Sequence, residues 1–102
     1  MKYNEILDTL CREFEKDTFF YKLRQMDFDE NLAKKLDVFI NNIDLSEFCK
    51  EKRINIVKNI WMMPVYYYIY KERCITNGAL EGTYDGYARR FFNRVQEIIE
   101  SV

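Results

Sequence analysis

The residues best suited to binding another molecule form a tyrosine run near the middle of the chain: Tyr66, Tyr67, Tyr68 and Tyr70. Tyrosine is favoured at protein–protein contacts because its ring offers a large contact area at a small entropic cost. On a helix these rings point in four directions, since successive residues are rotated by about 100°. One or two rings should therefore reach the surface, Tyr67 first, and we predict a partner-binding surface that contains Tyr66, Tyr67 and Tyr70. The alternative is a buried central helix whose hydroxyl groups reach the ends of a bundle.

A second candidate group is basic and lies near the end of the chain: Arg89, Arg90 and Arg94. Their spacing places them on the outer face of a predicted last helix. Guanidinium groups bind carboxylates and phosphates, so this face is predicted to contact an acidic partner protein or nucleic acid. Asp85 and Glu97 share the face, which also fits an ordinary solvated surface and weakens the nucleic-acid interpretation more than the protein-partner one.

Residues with the spacing of a catalytic or metal site are scarce. The sequence has no histidine, which removes the usual general base near neutral pH and the commonest zinc ligand. It also has no Gly-rich phosphate loop and no nucleophile elbow. Asp27, Asp29 and Glu30 are explained by a helix start, and Cys74 beside Arg73 lacks a histidine partner. We therefore predict a protein that is not an enzyme and that carries no cofactor and no metal.

The net charge and the cysteines indicate which kinds of partner and which cellular compartment fit this protein. The 102-residue chain has a net charge of −1, whereas nucleic-acid-binding proteins usually have a basic excess. Its three cysteines are far apart and odd in number, which is typical of free, mostly buried thiols in a reducing cytoplasm. The first residues lack the apolar core of a signal peptide, and polar residues interrupt the longest apolar window, 54–70. We predict a cytoplasmic protein that does not cross a membrane.

The elements that must position these residues are helices, because apolar residues recur at helical spacing and glycine and proline are scarce. The pattern predicts helices over about 3–16, 19–26, 28–42, 45–63, 64–76 and 84–102. Asp27 and Asp44, each followed three residues later by a glutamate, are the predicted caps of the third and fourth helices. Thr83 is the predicted cap of the last.

The apolar stretch from Ile60 to Tyr70 is the one around which the other segments are expected to pack. Pro64 should end one helix and begin the next, and Gly78 should end that second helix in the left-handed conformation. A competing interpretation is a small β-hairpin around 65–84, since tyrosines favour strands and Asn77-Gly78 favours a tight turn. We predict a single all-α domain over 1–102, a compact bundle of five or six helices, with an α+β fold as the alternative.

A helical chain without a visible active site and with many aromatic residues is expected to act by binding. Small bacterial immunity proteins and phage-encoded inhibitors of host defence have this general profile, and the rich use of Lys, Asn, Ile and Tyr fits an AT-rich bacterial or phage genome. We predict a stoichiometric inhibitor or immunity or anti-defence protein that occludes a partner protein, with a homodimer as a further option. The alternative function is a nucleic-acid-binding protein that uses its C-terminal helix.

Overall fold

Helices account for all of the regular structure in a computed structural model that describes residues 1–102. They are α1 (Tyr3–Arg12), α2 (Phe19–Arg24), α3 (Glu30–Asn41), α4 (Lys50–Ile60), α5 (Met63–Thr76) and α6 (Glu81–Glu100), with a 3₁₀ turn at Leu45–Glu47. The predicted bundle of five or six helices is confirmed. The hairpin alternative is wrong, because α5 runs to Thr76 and Gly78 (φ 110°) ends it in the left-handed conformation.

Several helix starts differ from those predicted. Asp29, not Asp27, caps α3, and its carboxylate accepts the Leu32 N–H at 3.1 Å. Asp44 caps only the 3₁₀ turn, and α4 begins later, at Lys50. Helix α6 begins at Glu81, so Thr83 lies within its first turn. Capping side chains indicate the approximate position of a helix start, and the path of the chain determines the residue at which the helix begins.

The first helix also ends earlier than its apolar pattern suggested. Helix α1 stops at Arg12, and the chain reaches α2 through a turn in which Asp17 has a φ of 70°. Asp17 in this left-handed conformation cannot continue a right-handed helix. The turn brings Phe19 and Phe20 at the start of α2 into the interior, where both are buried.

Helices α4 and α5 lie end to end and pack antiparallel along α6. Trp61 and Met62 between them keep right-handed helical angles, so the break before Pro64 changes the path of the chain without a sharp turn. Contacts with α6 follow the whole length: Arg53 bonds the Ser101 carbonyl at one end, and Lys71 bonds Asp85 at the other. This arrangement agrees with the longest dimension of the molecule, 43 Å.

All six helices contribute to one cluster of buried side chains. Its centre is aromatic, with Phe20, Tyr67 and Phe91 from three different helices in ring contact. No buried side-chain nitrogen or oxygen lacks a hydrogen bond. Large rings fill a small core with few residues, which explains how a short chain buries enough apolar area.

Candidate protein-binding surface

Tyr67 lies in the centre of the core, so the prediction that it is the most exposed tyrosine is wrong. Only 2% of it is exposed, and its ring contacts Phe19, Phe20, Tyr84 and Phe91. Helix α5 lies between α2 and α6, and Tyr67 points into the space that these helices enclose. Burial raises the pKa of its phenol far above the ordinary value. This side chain cannot touch a partner while the protein is folded.

Tyr66 and Tyr70 lie at the edge of the core on the α2 side of α5. Both are half-buried, and their rings stack on each other with centroids 6.3 Å apart. Tyr66 also contacts Phe14 and Phe20. The two rings therefore seal the junction between α5 and α2, and they offer a partner only their outer edges.

The three arginines predicted to form one basic face have three different environments. Arg94 is turned inward: its guanidinium donates to the carbonyl oxygens of Ile40 (3.1 Å) and Ile43, and also to the carboxylate of Glu97 (3.1 Å). Carbonyl groups at a helix end have no partner within the helix. Arg94 supplies donors to the end of α3 and the residues after it, so its role is structural.

Arg90 is also engaged, whereas Arg89 is not. The Arg90 guanidinium lies 3.7 Å from the Asp37 carboxylate and 4.5 Å from the ring centre of Tyr87. Arg89 is exposed and takes part in no ion pair or side-chain hydrogen bond within the chain. The structure does not bring the three guanidinium groups together on one surface, and only Arg89 remains free for a partner.

The largest group of exposed apolar side chains lies on the outer side of α5 and the adjoining part of α6. We call it the α5 face, and its members are Trp61, Met62, Val65, Tyr68, Ile69 and Phe92. Tyr68 is the most exposed, at 59%, and its ring meets Phe92 edge to face at 6.3 Å. Between the two helices runs a groove of about 230 Å³, with Pro64, Val95 and Ile99 among its lining residues. The face thus combines projecting rings with an apolar depression.

The sequence holds no periodic signal that selects the outer side of α5, because apolar residues occur on every side of this helix. Met63, Tyr67 and Cys74 follow helical spacing and all point inward. If this stripe faces the core, Val65, Tyr68 and Ile69 must face away from it. A helix that is apolar on all sides is either buried or covered by something else, and α5 is apolar on its exposed side. Tyr68, which the predicted surface omitted, is its most exposed ring.

Charged residues flank the α5 face without partners of their own. Lys58 in the last turn of α4 and Glu72 in α5 are exposed, and neither takes part in an ion pair. Lys71, by contrast, contacts Asp85 at 2.9 Å and Glu81 at 3.5 Å, and its hydrogen bond to Asp85 raises the pKa of its ammonium. Lys71 therefore holds α5 against α6, while Lys58 and Glu72 stay available.

A second depression, of about 200 Å³, lies between α1, the following turn and α3. Glu13 lines it, and its carboxylate accepts the Phe19 N–H at 3.1 Å, which caps the start of α2. Burial raises the pKa of the Glu13 carboxyl above its ordinary value. Because the carboxylate already has a backbone partner, the structural role explains this residue.

The structure has few other features that could bind a metal ion, react through a thiol or cross a membrane. No three His, Cys, Asp or Glu side chains are grouped closely enough to hold a metal ion. Cys74 is buried but Cys11 and Cys49 are exposed, so the expectation of mostly buried thiols is wrong. No helix combines the length and the hydropathy that a bilayer crossing requires.

Comparison with known proteins adds no family to this description, since no protein-family model, curated protein or solved structure matches the chain. The class that the fold and the surface define is therefore a six-helix bundle with one exposed apolar face. Its function has to be argued from that face.

Proposed function

We propose that the chain is a small protein-binding module that acts as a stoichiometric inhibitor, of the immunity or anti-defence type, in bacteria or phage. The observation that carries the proposal is the α5 face. With full side-chain areas of about 150–250 Å² each, its six members together expose about 600 Å², the upper end of the largest patch on a typical monomer. Apolar patches of this size mark binding sites more often than ordinary surface.

The residue types of the face support a protein as its occupant. Trp61 and Tyr68 are the kinds of residue that dominate binding energy at protein interfaces. The groove beside them offers a partner side chain a place to insert, and Arg89, three residues before Phe92, adds a charge at the rim. A buried apolar centre with a charged rim is the usual anatomy of such an interface.

The nucleic-acid alternative has less support. Arg90 and Arg94 already use their guanidinium groups on Asp37 and on carbonyls near the end of α3. Phosphate binding on α6 would depend on Arg89 alone, in a chain with a net charge of −1. We therefore keep the protein partner as the proposal and make nucleic-acid binding an outcome of its test.

The proposal also assigns the protein to the cytoplasm and gives it no catalytic role. Support for the compartment comes from the three cysteines, all free and two of them exposed. Inhibition by occlusion needs a stable surface and a tight contact, and the α5 face on a packed bundle is the surface that we propose for this contact.

Affinity capture from a bacterial lysate tests the proposal with three versions of the chain as bait. The variants are Tyr68→Glu, on the α5 face, and Val38→Glu, at an equally exposed apolar position on α3. We expect the wild type and Val38→Glu to retain one protein in equimolar amount, and Tyr68→Glu to lose it. Equal capture by all three baits would contradict the role of the face.

Two further outcomes decide the mechanism. If the captured protein loses activity when one equivalent of the chain is added, the inhibitor proposal is supported. If the wild type instead binds nucleic acid with an affinity that falls steeply and linearly on a log–log plot against salt, the alternative function replaces it.

A further inference from the structure

The charges around the α5 face are arranged symmetrically about Val65. Lys58 lies seven residues before Val65, and Glu72 lies seven residues after it. Trp61 and Met62, the two residues between α4 and α5, keep right-handed helical angles, and seven residues correspond to about two turns of a helix. All three side chains are exposed. A positive and a negative charge therefore lie at equal sequence separations on either side of an exposed valine.

The apolar residues between these charges share the symmetry. Two of them, Trp61 and Met62, lie four and three residues before Val65, and the other two, Tyr68 and Ile69, lie three and four residues after it. These are the spacings that place side chains on one face of a helix. A surface with this order is complementary to itself when a second helix crosses it in the opposite direction.

We propose that a second copy of this chain covers the α5 face, through antiparallel packing of the two α5 helices about a two-fold axis at Val65. In this register Trp61 meets Ile69 of the second copy, and Met62 meets Tyr68 of the second copy. Lys58 then lies opposite Glu72 of the second copy, and the symmetry makes that ion pair twice. Closed two-fold contacts of this kind are the commonest in homo-oligomers.

The available area agrees with a modest but specific dimer. Complete burial of the exposed area of about 600 Å² on each copy would give a total of about 1,200 Å², at the lower end of specific protein interfaces. Interfaces at this lower limit of size are typical of weak, transient contacts, so we expect a dissociation constant in the micromolar range. The two ion pairs contribute mainly register and direction, since exposed pairs add little affinity.

This inference does not rest on the proposed function, because self-association needs no other protein. The two contacts use the same side chains and exclude each other. The homodimer is then the form of the free chain, and a target protein that binds the α5 face dissociates it.

Light scattering on the purified chain tests the proposal over concentrations from about 1 to about 300 μM, which bracket the micromolar range of small interfaces. We expect the mass to rise from 12.5 kDa towards twice that value, with a midpoint near 10 μM as an order of magnitude. Tyr68→Glu should remain a monomer throughout, whereas the matched control Val38→Glu should dimerise like the wild type. A wild type that stays monomeric, or a dimer that Tyr68→Glu leaves intact, would overturn the proposal.

Charge exchange tests the register independently of folding. Lys58→Glu and Glu72→Lys each place like charges opposite each other twice, so each should raise the dimer dissociation constant about tenfold. The double variant restores opposite charges and should return to within about threefold of the wild type. If the double variant is as weak as the product of the single effects, the antiparallel register is wrong. Failure of partner capture with an intact dimer would count only against the proposed function.

Discussion

Tyr67 and Tyr68 are neighbours with identical side chains, yet 2% of the first and 59% of the second is exposed. Tyr67 points towards α2 and α6 and touches four aromatic rings, while Tyr68 points outward and touches one, Phe92. The two sides of α5 therefore have the same chemical character and opposite roles. A residue type suited to binding says nothing about whether a partner can reach it. The direction of the side chain decides that.

The largest expected effect separates these two tyrosines. Tyr67→Ala removes a ring from the centre of the core and should cost about 3–5 kcal/mol, the range for large aromatic truncations. Tyr68→Ala should change stability by less than about 0.5 kcal/mol in a dilute monomer. Thermal or urea unfolding followed by circular dichroism measures both. Comparable losses for the two variants would break the distinction between the inner and outer sides of α5.

Unfolding at alkaline pH tests the burial of Tyr67 and Tyr84 without any substitution. Burial raises the phenol pKa of Tyr67 and Tyr84, so the folded state keeps both protonated. This stability is complete below the unfolded pKa of 10.0 and is lost as the pH rises above it, by about 3 kcal/mol for the pair at about pH 11. Ultraviolet absorbance should show that these two tyrosines ionise only on unfolding. Ionisation of all eight before unfolding would contradict their burial.

A matched pair of arginines extends the comparison to α6. Arg94→Ala removes the donors to the Ile40 and Ile43 carbonyls and should cost about 1.5–3 kcal/mol, as expected for lost hydrogen bonds from a charged donor. Arg89→Ala touches no internal contact, so its effect on unfolding should stay within about 0.5 kcal/mol. Urea unfolding of both variants checks this order. Equal effects would restore the single basic face that the sequence suggested.

The smallest effect concerns Glu13 and depends on pH. Its folded-state pKa is raised by burial, so its contribution to stability is complete below the ordinary pKa of 4.5 and is lost as the pH rises through the raised pKa. Glu13→Gln keeps an oxygen acceptor for the Phe19 N–H and removes the buried charge. The variant should melt slightly higher than the wild type at neutral pH, with a difference that closes on acidification.

The stability that Asp29 and Asp44 contribute changes with pH in the opposite direction to that of Glu13. The effect of Glu13 must therefore be measured as the difference between wild type and Glu13→Gln. Hydrogen bonds, to Leu32 and Lys22 for Asp29 and to Ser46 for Asp44, lower their pKa values. Their contribution is present above the unfolded value of 3.8 and is lost as the pH falls through the lowered values. Because both versions of the protein share these two groups, only the difference in melting temperature reports on Glu13. A difference that widens at low pH would contradict the assignment.

Much of the fold was accessible from local sequence. Gly78 ends α5 as predicted, because few other residues adopt a positive φ without strain. The break before Pro64 was expected because proline has no N–H to donate to the preceding turn, although α5 begins one residue earlier than predicted, at Met63. The start of α3 was missed by two residues, because Asp27 competes with Asp29. The start of α6 was missed by three, because Leu80, without a capping side chain, precedes it.

The candidate site was predicted only in part. The predicted site was located on the tyrosine stretch and the last helix, and the α5 face lies on the same two helices. Tyr67 was assigned to it although it is buried, Tyr68 was omitted, and Arg94 is half-buried and donates to the Ile40 carbonyl. Whether the surface binds another protein is still a prediction.

By itself the sequence determined that the chain forms helices and where proline and glycine interrupt them, because these depend on neighbouring residues. Only the tertiary structure decided how α5 is rotated about its axis. A helix with apolar residues on every side has no periodicity that selects its inner face. That choice was made by Phe19, Phe20 and Phe91, which are distant in sequence and enclose Tyr67. The same rotation turned Tyr68 outward and left the α5 face exposed.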